Sequence, residues 1–225
     1  MGVSYRPLEV AAVRSGVERV TLVRRTYLLV FAGILVTMFG VSWALSTPAV
    51  LTWTAQHPFL TMIGMFAPLI AAMKFRTVFP TNIGLVFLFT FMAGIGIAPV
   101  IYLYDRMQPG VVGQAAFLTG TTFGVLTLYA FVSRRDFSAW GGFFTVGLWV
   151  LIATSLLNLF FQNPTASLWI AGGTVFIFGG LLVFDTWRIR NVYGPEDYVQ
   201  AAVSIYLDLL NMFLAILSLI GGRRE

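Results

Sequence analysis

Seven apolar segments follow one another along this chain, and each is close to the roughly 20 residues that a helix needs to cross a bilayer. Hydrophobic residues make up 58% of the 225 residues and charged residues only 10%. An ordinary soluble domain is about one quarter charged. The pattern predicts an all-α integral membrane protein with seven transmembrane helices. The segments cover residues 26–47, 58–76, 82–104, 113–133, 139–161, 167–187 and 199–220.

The remaining residues leave no room for a second domain. We predict one transmembrane domain at 26–222, between a polar N-terminal tail at 1–25 and a short C-terminal tail at 223–225. The arginines of the first tail leave no apolar core for a cleavable signal peptide, so none is expected. Valines at helical spacing favour a short helix on the membrane surface in this tail, although a solvated tail fits them equally well. These valines are Val10, Val13, Val17 and Val20.

The basic residues predict the orientation, because cytoplasmic connections of membrane proteins are enriched in Lys and Arg. Eleven of the 14 basic residues fall on one side of the predicted spans, which places the N-terminus in the cytoplasm and the C-terminus outside. Arg223 and Arg224 contradict this arrangement mildly, and a re-entrant last segment would explain them. The eleven are Arg6, Arg14, Arg19, Arg24, Arg25, Lys74, Arg76, Arg134, Arg135, Arg188 and Arg190.

Composition excludes several kinds of site. The chain has no cysteine, so disulfides, thiolate metal sites and cysteine nucleophiles are impossible, and its single histidine, His57, cannot form a histidine cluster. The net charge is +5, but the basic residues lie at the ends of apolar segments rather than in a patch. We therefore expect no nucleic-acid partner.

Small residues in the third and fourth segments are typical of close helix packing in membranes. Gly120 and Gly124 form a GxxxG pattern, and Gly94 and Gly96 interrupt the third segment together with Pro99. We expect these glycines to lie at helix contacts or at a kink.

The last segment, AAVSIYLDLLNMFLAILSLIGG at 201–222, carries an aspartate at Asp208. A carboxyl group in the hydrocarbon core is costly and requires protein or water around it. On a helix it would belong to a stripe of small or polar residues, with large apolar residues on the other faces. We therefore predict that this helix lies at the centre of the bundle. The stripe consists of Ser204, Asp208, Asn211, Ala215 and Ser218.

A second acid, Asp185, lies in VFDTWRIR at the cytoplasmic end of the sixth segment. Two adjacent antiparallel helices can bring Asp185 and Asp208 to a similar depth. Two carboxyl groups in a poorly solvated site do not easily both ionise, and they can share a proton. Such a pair can bind a hard divalent cation, relay or sense protons, or activate a water for hydrolysis. Alternatively, Asp185 is an interfacial acid that pairs with Arg188.

Arg76 ends the second segment on the same side, where its guanidinium could reach one of the two carboxylates. The alternative is that Arg76, like Lys74, only sets the orientation. Ser204, Asn158 and Asn211 could complete a polar network around the acids, although each asparagine could equally satisfy a hydrogen bond between helices.

Two stretches of this sequence are similar to a known family. SIYLDLLNMFLAILSLIGG resembles the last-helix signature of the Bax inhibitor-1 (transmembrane Bax inhibitor motif) family, and VFDTWRI resembles the acid-bearing end of its sixth helix. GIGIAPVIY, FLTGTTFGVLTLYAF and SLLNLFF also resemble the family, so the likeness covers most of residues 26–222. The chain departs from the family at Trp187 and Arg188 and in its last two arginines.

The resemblance implies seven helices, of which six wrap around a central C-terminal one. It also implies a calcium leak gated by pH through a hydrogen-bonded aspartate pair, which corresponds here to Asp185 and Asp208. The arginine that the family places at the end of its second helix corresponds to Arg76. Calcium is then the transported ion, the pair lies on its path, and the partners are the lipid bilayer, calcium ions and protons. No cofactor is expected. The short tails resemble those of bacterial members in the cell inner (plasma) membrane.

We expect no enzymatic activity, but three other functions stay open. A proton-coupled transporter of an unknown solute could use the same pair of acids. An intramembrane aspartyl protease also uses two aspartates, but Asp208 follows Tyr206 and Leu207 rather than a Gly-x-Gly sequence, and no Pro-Ala-Leu stretch is present. A non-conducting membrane interaction protein would need neither acid.

Overall fold

The structure is a computed structural model that describes residues 16–222. This part of the chain forms eight α-helices and one 3-10 turn at Pro195–Asp197, and it contains no strand. The helices are α1 (Gly16–Ser46), α2 (Pro48–Gln56), α3 (Pro58–Lys74), α4 (Thr81–Met107), α5 (Val111–Val132), α6 (Trp140–Phe161), α7 (Pro164–Asn191) and α8 (Tyr198–Gly221).

The predicted class of all-α membrane protein is confirmed. Six of the helices within residues 16–222 are long and apolar enough to cross a membrane by themselves, namely α1, α4, α5, α6, α7 and α8. The helices α2 and α3 follow one another with a bend of 100°, and the count rises to seven if the pair forms one broken span.

The connection between the first two predicted segments is itself mostly helical, because its residues form α2. Pro48 and Pro58 occupy the first turns of α2 and α3, where proline is favoured since no partner is needed for its missing N–H. His57 lies between the two helices with φ −125° and ψ 55°. A residue before proline is disfavoured in the helical region, so His57 separates two helices that would otherwise be continuous.

The N-terminal tail is described only in part. Residues 16–25 continue α1 without a break, so they belong to the first long helix rather than to a separate surface helix. Val17 and Val20 are exposed on α1. Val10 and Val13, the rest of the predicted surface helix, lie outside the described residues, as do Arg223 and Arg224.

The prediction that the last helix is central is confirmed. Of the candidate spans, α8 is the most buried and α6 the least. The central helix packs against α1, α3, α4, α5 and α7, whereas α6 packs mainly on α7 and faces α8 across a cavity. The arrangement follows from the sequence, because α6 has apolar residues on every face and can lie against lipid, whereas α8 carries the polar stripe.

Contacts between helix ends gather the basic connections at one end of the bundle, which we call the basic end. Arg25 of α1 lies over the ring of Tyr198 at 5.7 Å, and Arg76 donates a hydrogen bond to Gln200. Arg190 of α7 donates to the Ser133 carbonyl at the end of α5 at 2.7 Å. Four parts of the chain therefore lie together at the basic end, as the positive-inside pattern predicts. They are the starts of α1 and α8, the end of α5 and the α3–α4 connection.

The glycines of α4 and α5 behave differently. A Cβ atom at Gly94 would overlap the Thr37 carbonyl oxygen, so α1 and α4 approach as closely as their backbones allow. The Thr37 hydroxyl also donates to the Thr90 carbonyl across this contact at 3.0 Å. The expected close packing at Gly120 and Gly124 is wrong, because a Cβ atom at either position would have no neighbour within 4 Å. Their face of α5 is directed outward, so the GxxxG pattern contacts none of the helices formed by residues 16–222.

We expect Gly94→Ala to lower the free energy of unfolding by about 1–3 kcal/mol, because its methyl group would force α1 and α4 apart. Gly120→Ala is the matched control, and we expect it to be neutral or slightly stabilising since alanine favours the helix. Equilibrium unfolding in mixed micelles measures both. Equal stabilities of the two variants would contradict the tight contact at Gly94.

Candidate functional site

Asp208 is buried in the middle of the central helix. The residue is 4% exposed, and its Oδ2 atom has no hydrogen-bond partner among the described residues. A polar group buried without a partner costs free energy that packing alone does not return. The Oδ2 atom of Asp208 therefore lacks the hydrogen bond that would offset the cost of its burial.

Asp185, on α7, is the other buried acid of the predicted pair. The residue is 7% exposed, and it lies close enough to Asp208 for the two carboxylates to repel each other when both are ionised. The structure thus brings the predicted pair together, but no hydrogen bond between the two is present in the described part of the chain. Instead, Arg188, one turn along the same helix, donates to Asp185 Oδ1 at 3.1 Å. The alternative pairing of Asp185 with Arg188 is therefore the one that the structure contains.

Two aromatic rings hold Arg188 beside Asp185. The guanidinium carbon lies 4.5 Å from the ring centre of Tyr193 and 5.6 Å from that of Phe184. Contacts of this kind stabilise a cation by about 0.5–2 kcal/mol, depending on how far it is removed from water. The rings and the carboxylate together fix the guanidinium at the basic end.

Tyr193 is the site residue that the sequence analysis missed. It lies in the short connection between α7 and α8, yet it is only 4% exposed. Ser204 lies beside its hydroxyl, but the hydroxyl makes no hydrogen bond of normal geometry to any described residue. Burial, and then the negative charge of Asp185, raise the pKa of Tyr193 to about 12, so the phenol is neutral at physiological pH. A single aromatic residue in the polar run NVYGPED was the only sequence signal, and no periodicity marked the side chain as buried.

Arg76 lies at the basic end but does not pair with either acid of the predicted gate. Its guanidinium donates to Gln200 and lies 3.9 Å from Asp197, and both charged side chains of this pair are partly exposed. Arg76 thus joins the α3–α4 connection to the start of α8. Its predicted role as a direct partner of the aspartates stays a prediction.

The three other predicted polar residues lie at different heights along the bundle. Ser204 lies beside Tyr193 near the basic end. The Asn211 amide donates to the Leu207 carbonyl on its own helix at 2.8 Å, and the Asn158 amide donates to Ser167 Oγ at 2.7 Å. Asn158 and Asn211 both line one cavity, so they share a surface with each other rather than with Asp185.

This cavity lies between α6, α7 and α8 and has a volume of about 600 Å³. It reaches the exposed α6–α7 connection at Gln162, far from the basic end, and at its inner end it meets Asn211 of the polar stripe. Asp208 lies one turn further along α8. None of the described residues that line the cavity is charged. Its polar lining residues are Ser155, Asn158, Gln162, Ser167, Thr174, Asn211 and Ser218.

Residues 16–222 contain no group of three or more His, Cys, Asp or Glu side chains that could hold a metal ion. Asp185 and Asp208 could supply carboxylate oxygens to a calcium ion in passage. Calcium takes six to eight oxygen ligands, so two carboxyl groups would need water or neutral oxygens to complete the coordination. This suits an ion that passes the pair better than a resident metal centre.

The fold and the site define a multi-pass α-helical membrane protein with two buried acids, Asp208 in the middle of the central helix and Asp185 on the neighbouring α7. The sequence model of the family described as "Inhibitor of apoptosis-promoting Bax1" matches residues 19–225. The chain belongs to this Bax inhibitor family.

Several curated proteins are similar over most of the chain. Bax inhibitor 1 of Schizosaccharomyces pombe is 32% identical over 209 residues, which make up 90% of this chain and 77% of that protein. Protein lifeguard 4 of Mus musculus is 32% identical over 202 residues, or 88% and 84% of the two chains. An uncharacterized membrane protein of Vibrio cholerae is 38% identical over 138 residues, or 60% and 61%.

We expect a double-mutant cycle between Asp185→Asn and Arg188→Gln to give a coupling of about 1 kcal/mol, because the ion pair is largely buried on the Asp185 side. A cycle between Asp185→Asn and Arg76→Gln should give a coupling near zero, since Arg76 contacts Asp197 instead. Unfolding in mixed micelles provides the stabilities. A larger coupling for Arg76 than for Arg188 would contradict the pairing in the structure.

Proposed function

We propose that this protein is a pH-sensitive calcium leak channel in which Asp185 and Asp208 form the gate. The observation that carries the proposal is the buried Asp208 carboxyl group, whose Oδ2 atom has no partner and which lies one turn beyond a polar cavity. A membrane protein that keeps an unsatisfied acid at this depth incurs a stability cost, and ion or proton passage is the usual reason for such a group.

The polar stripe of α8 supplies the route. From the cavity it runs through Ser218 and Asn211 to Asp208, and then to Ser204 near the basic end. Neutral hydroxyl and amide oxygens followed by carboxylate oxygens are the ligands that a hard cation such as calcium prefers. The outer part carries no charged lining residue, so an entering cation meets its first carboxylate at Asp208.

The two acids supply the pH sensitivity. Since their charges interact, a proton gained or lost by one changes the electrostatic energy of the other and of any cation between them. Arg188 holds Asp185 from its own helix, whereas Asp208 belongs to α8 and its Oδ2 atom has no hydrogen-bond partner within residues 16–222. A change in protonation therefore acts mainly on the contact between α7 and α8. One proton can shift the closed-to-open ratio by at most about tenfold per pH unit.

We expect calcium entry into proteoliposomes that contain the native protein to change with pH, and we expect Asp208→Asn and Asp185→Asn to lose most of that dependence. The asparagine side chain has no carboxyl proton to gain or lose, so neither variant can titrate at this position. A calcium-sensitive dye inside the vesicles measures the flux, with pH varied separately on each side.

Glu196→Gln is the matched control. This acid lies exposed in the 3-10 turn at the basic end, so its removal changes the net charge equally without touching the buried pair. We expect it to keep the native pH profile. An unaltered profile in Asp208→Asn would refute the gate, and flux no greater than that of empty vesicles at every pH would refute the leak itself.

The cavity supports a second candidate function. A volume of about 600 Å³ with hydroxyl and amide groups in the lining is within the range of small-molecule sites. A proton-coupled transporter would bind a solute there and use the acid pair for the proton. Saturable uptake of one solute, driven by a pH gradient and competed by its analogues, would favour the transporter over the leak.

A further inference from the structure

The side chain of Tyr193 turns inward from a connection that otherwise faces solvent. Val192 before it is 49% exposed, and Pro195 and Glu196 after it are exposed, whereas Tyr193 itself is 4% exposed. A large aromatic residue at a helix-helix connection has no need to be buried for the chain to turn. Its position therefore requires an explanation from the surroundings of the side chain.

Three contacts fix the position of Tyr193. Its backbone N–H donates to the Arg188 carbonyl at 2.9 Å, and the next N–H, that of Gly194, donates to Asp197 Oδ2 at 2.8 Å. The Arg188 guanidinium lies on its ring at 4.5 Å. The connection is thus tied to the end of α7 on one side and to the start of α8 on the other.

The ring lies where the polar stripe of α8 reaches the basic end. Ser204 lies beside the Tyr193 hydroxyl, and Asp208 follows Ser204 at the next turn of α8. Tyr193 is thus a buried side chain that lies between Ser204 and the exposed connection. We propose that Tyr193 closes the polar stripe at the basic end, with Arg188 packed on its ring, so that water and ions reach Ser204 from this side only when the ring moves.

The chemistry of the two side chains suits a closure. An aromatic ring excludes water from a narrow passage, and a hydrophobic constriction of this kind blocks ions by dewetting. The guanidinium at the mouth is paired with Asp185, so the pair adds no net negative charge that would draw cations to the closed end. Because the phenol is neutral at physiological pH, Tyr193 does not add a charge that would attract cations to the closed mouth.

The inference rests on the proposed function insofar as the stripe is taken as a route for ions, but its test does not require ion flow. The native chain has no cysteine, so a single Ser204→Cys substitution provides a unique thiol behind the ring. The full chain is reconstituted in vesicles, and a membrane-impermeant, negatively charged maleimide is added to the side on which the basic end is exposed. The labelling rate measures access to position 204.

We expect Ser204→Cys to be labelled slowly and Ser204→Cys with Tyr193→Ala at least about tenfold faster, since removal of the ring opens the constriction to water. Tyr193→Phe should keep the slow rate, because the ring rather than the hydroxyl closes the passage. Glu196→Cys in the exposed turn is the reference for fast labelling.

Tyr198→Ala in the Ser204→Cys background is the matched control. Tyr198 lies at the same end and also carries an arginine, Arg25, on its ring, and its hydroxyl accepts a hydrogen bond from Asn82 at 3.1 Å. We expect its removal to leave labelling slow. Equal acceleration by both alanine variants would overturn the assignment, because it would reflect general loosening of the basic end.

If Tyr193→Ala does not fold, Tyr193→Leu serves instead, since it keeps apolar volume but loses the flat face under Arg188, and severalfold faster labelling is expected. The closure is wrong if Ser204→Cys is labelled as fast as Glu196→Cys while Tyr193 is present. It is also wrong if neither Tyr193→Ala nor Tyr193→Leu accelerates labelling. Accelerated labelling without any calcium flux would support the closure and refute the leak. A pH-dependent calcium flux without accelerated labelling would support the leak and refute the closure.

Discussion

The burial of a carboxyl group in a bilayer-spanning helix is the constraint on which the rest of this structure depends. Asp208 cannot face lipid, and its unpartnered Oδ2 atom shows that the protein does not fully compensate the cost of burying it. The chain meets the constraint by surrounding α8 with α1, α3, α4, α5 and α7 and leaving α6 at the periphery. The tight contact of Gly94 with Thr37 brings α4 and α1 together on one flank of this enclosure.

The two halves of the central helix have different surroundings, although the sequence gives them one continuous stripe. Asn211, Ala215 and Ser218 line a cavity of about 600 Å³ that reaches the end opposite the basic end. Ser204 and Asp208 lie under packed side chains instead, and the charges near them, on Asp185 and Arg188, form an ion pair. In the proposed channel, a polar route along α8 is therefore open at one end and closed at the other. The change from the cavity to the packed region falls at Asp208.

Sequence periodicity predicted the features that are set by a single helix. It did not predict the contacts that a helix makes with its neighbours. Segment length and the spacing of polar residues predicted the long helices, the central α8 and the burial of Asp208. Spacing could not show that Gly120 faces away from every helix, since that depends on the rotation of α5 in the bundle. Nor could it choose between Arg76 and Arg188 for Asp185, or show that Tyr193 turns inward, because both depend on the path of the connections.

The choice of Arg188 as the partner of Asp185 changes how a gate at this site would work. An arginine from the α3–α4 connection would tie Asp185 to a third helix, and α7 could then move only if that ion pair broke. Arg188 lies on α7 itself, so the ion pair travels with its helix. A movement of α7 against α8 separates Asp185 from Asp208 while the charge of Asp185 stays compensated. In the proposed channel the energy that opposes opening therefore lies in the α7–α8 contact and in the ring of Tyr193 at the turn between them.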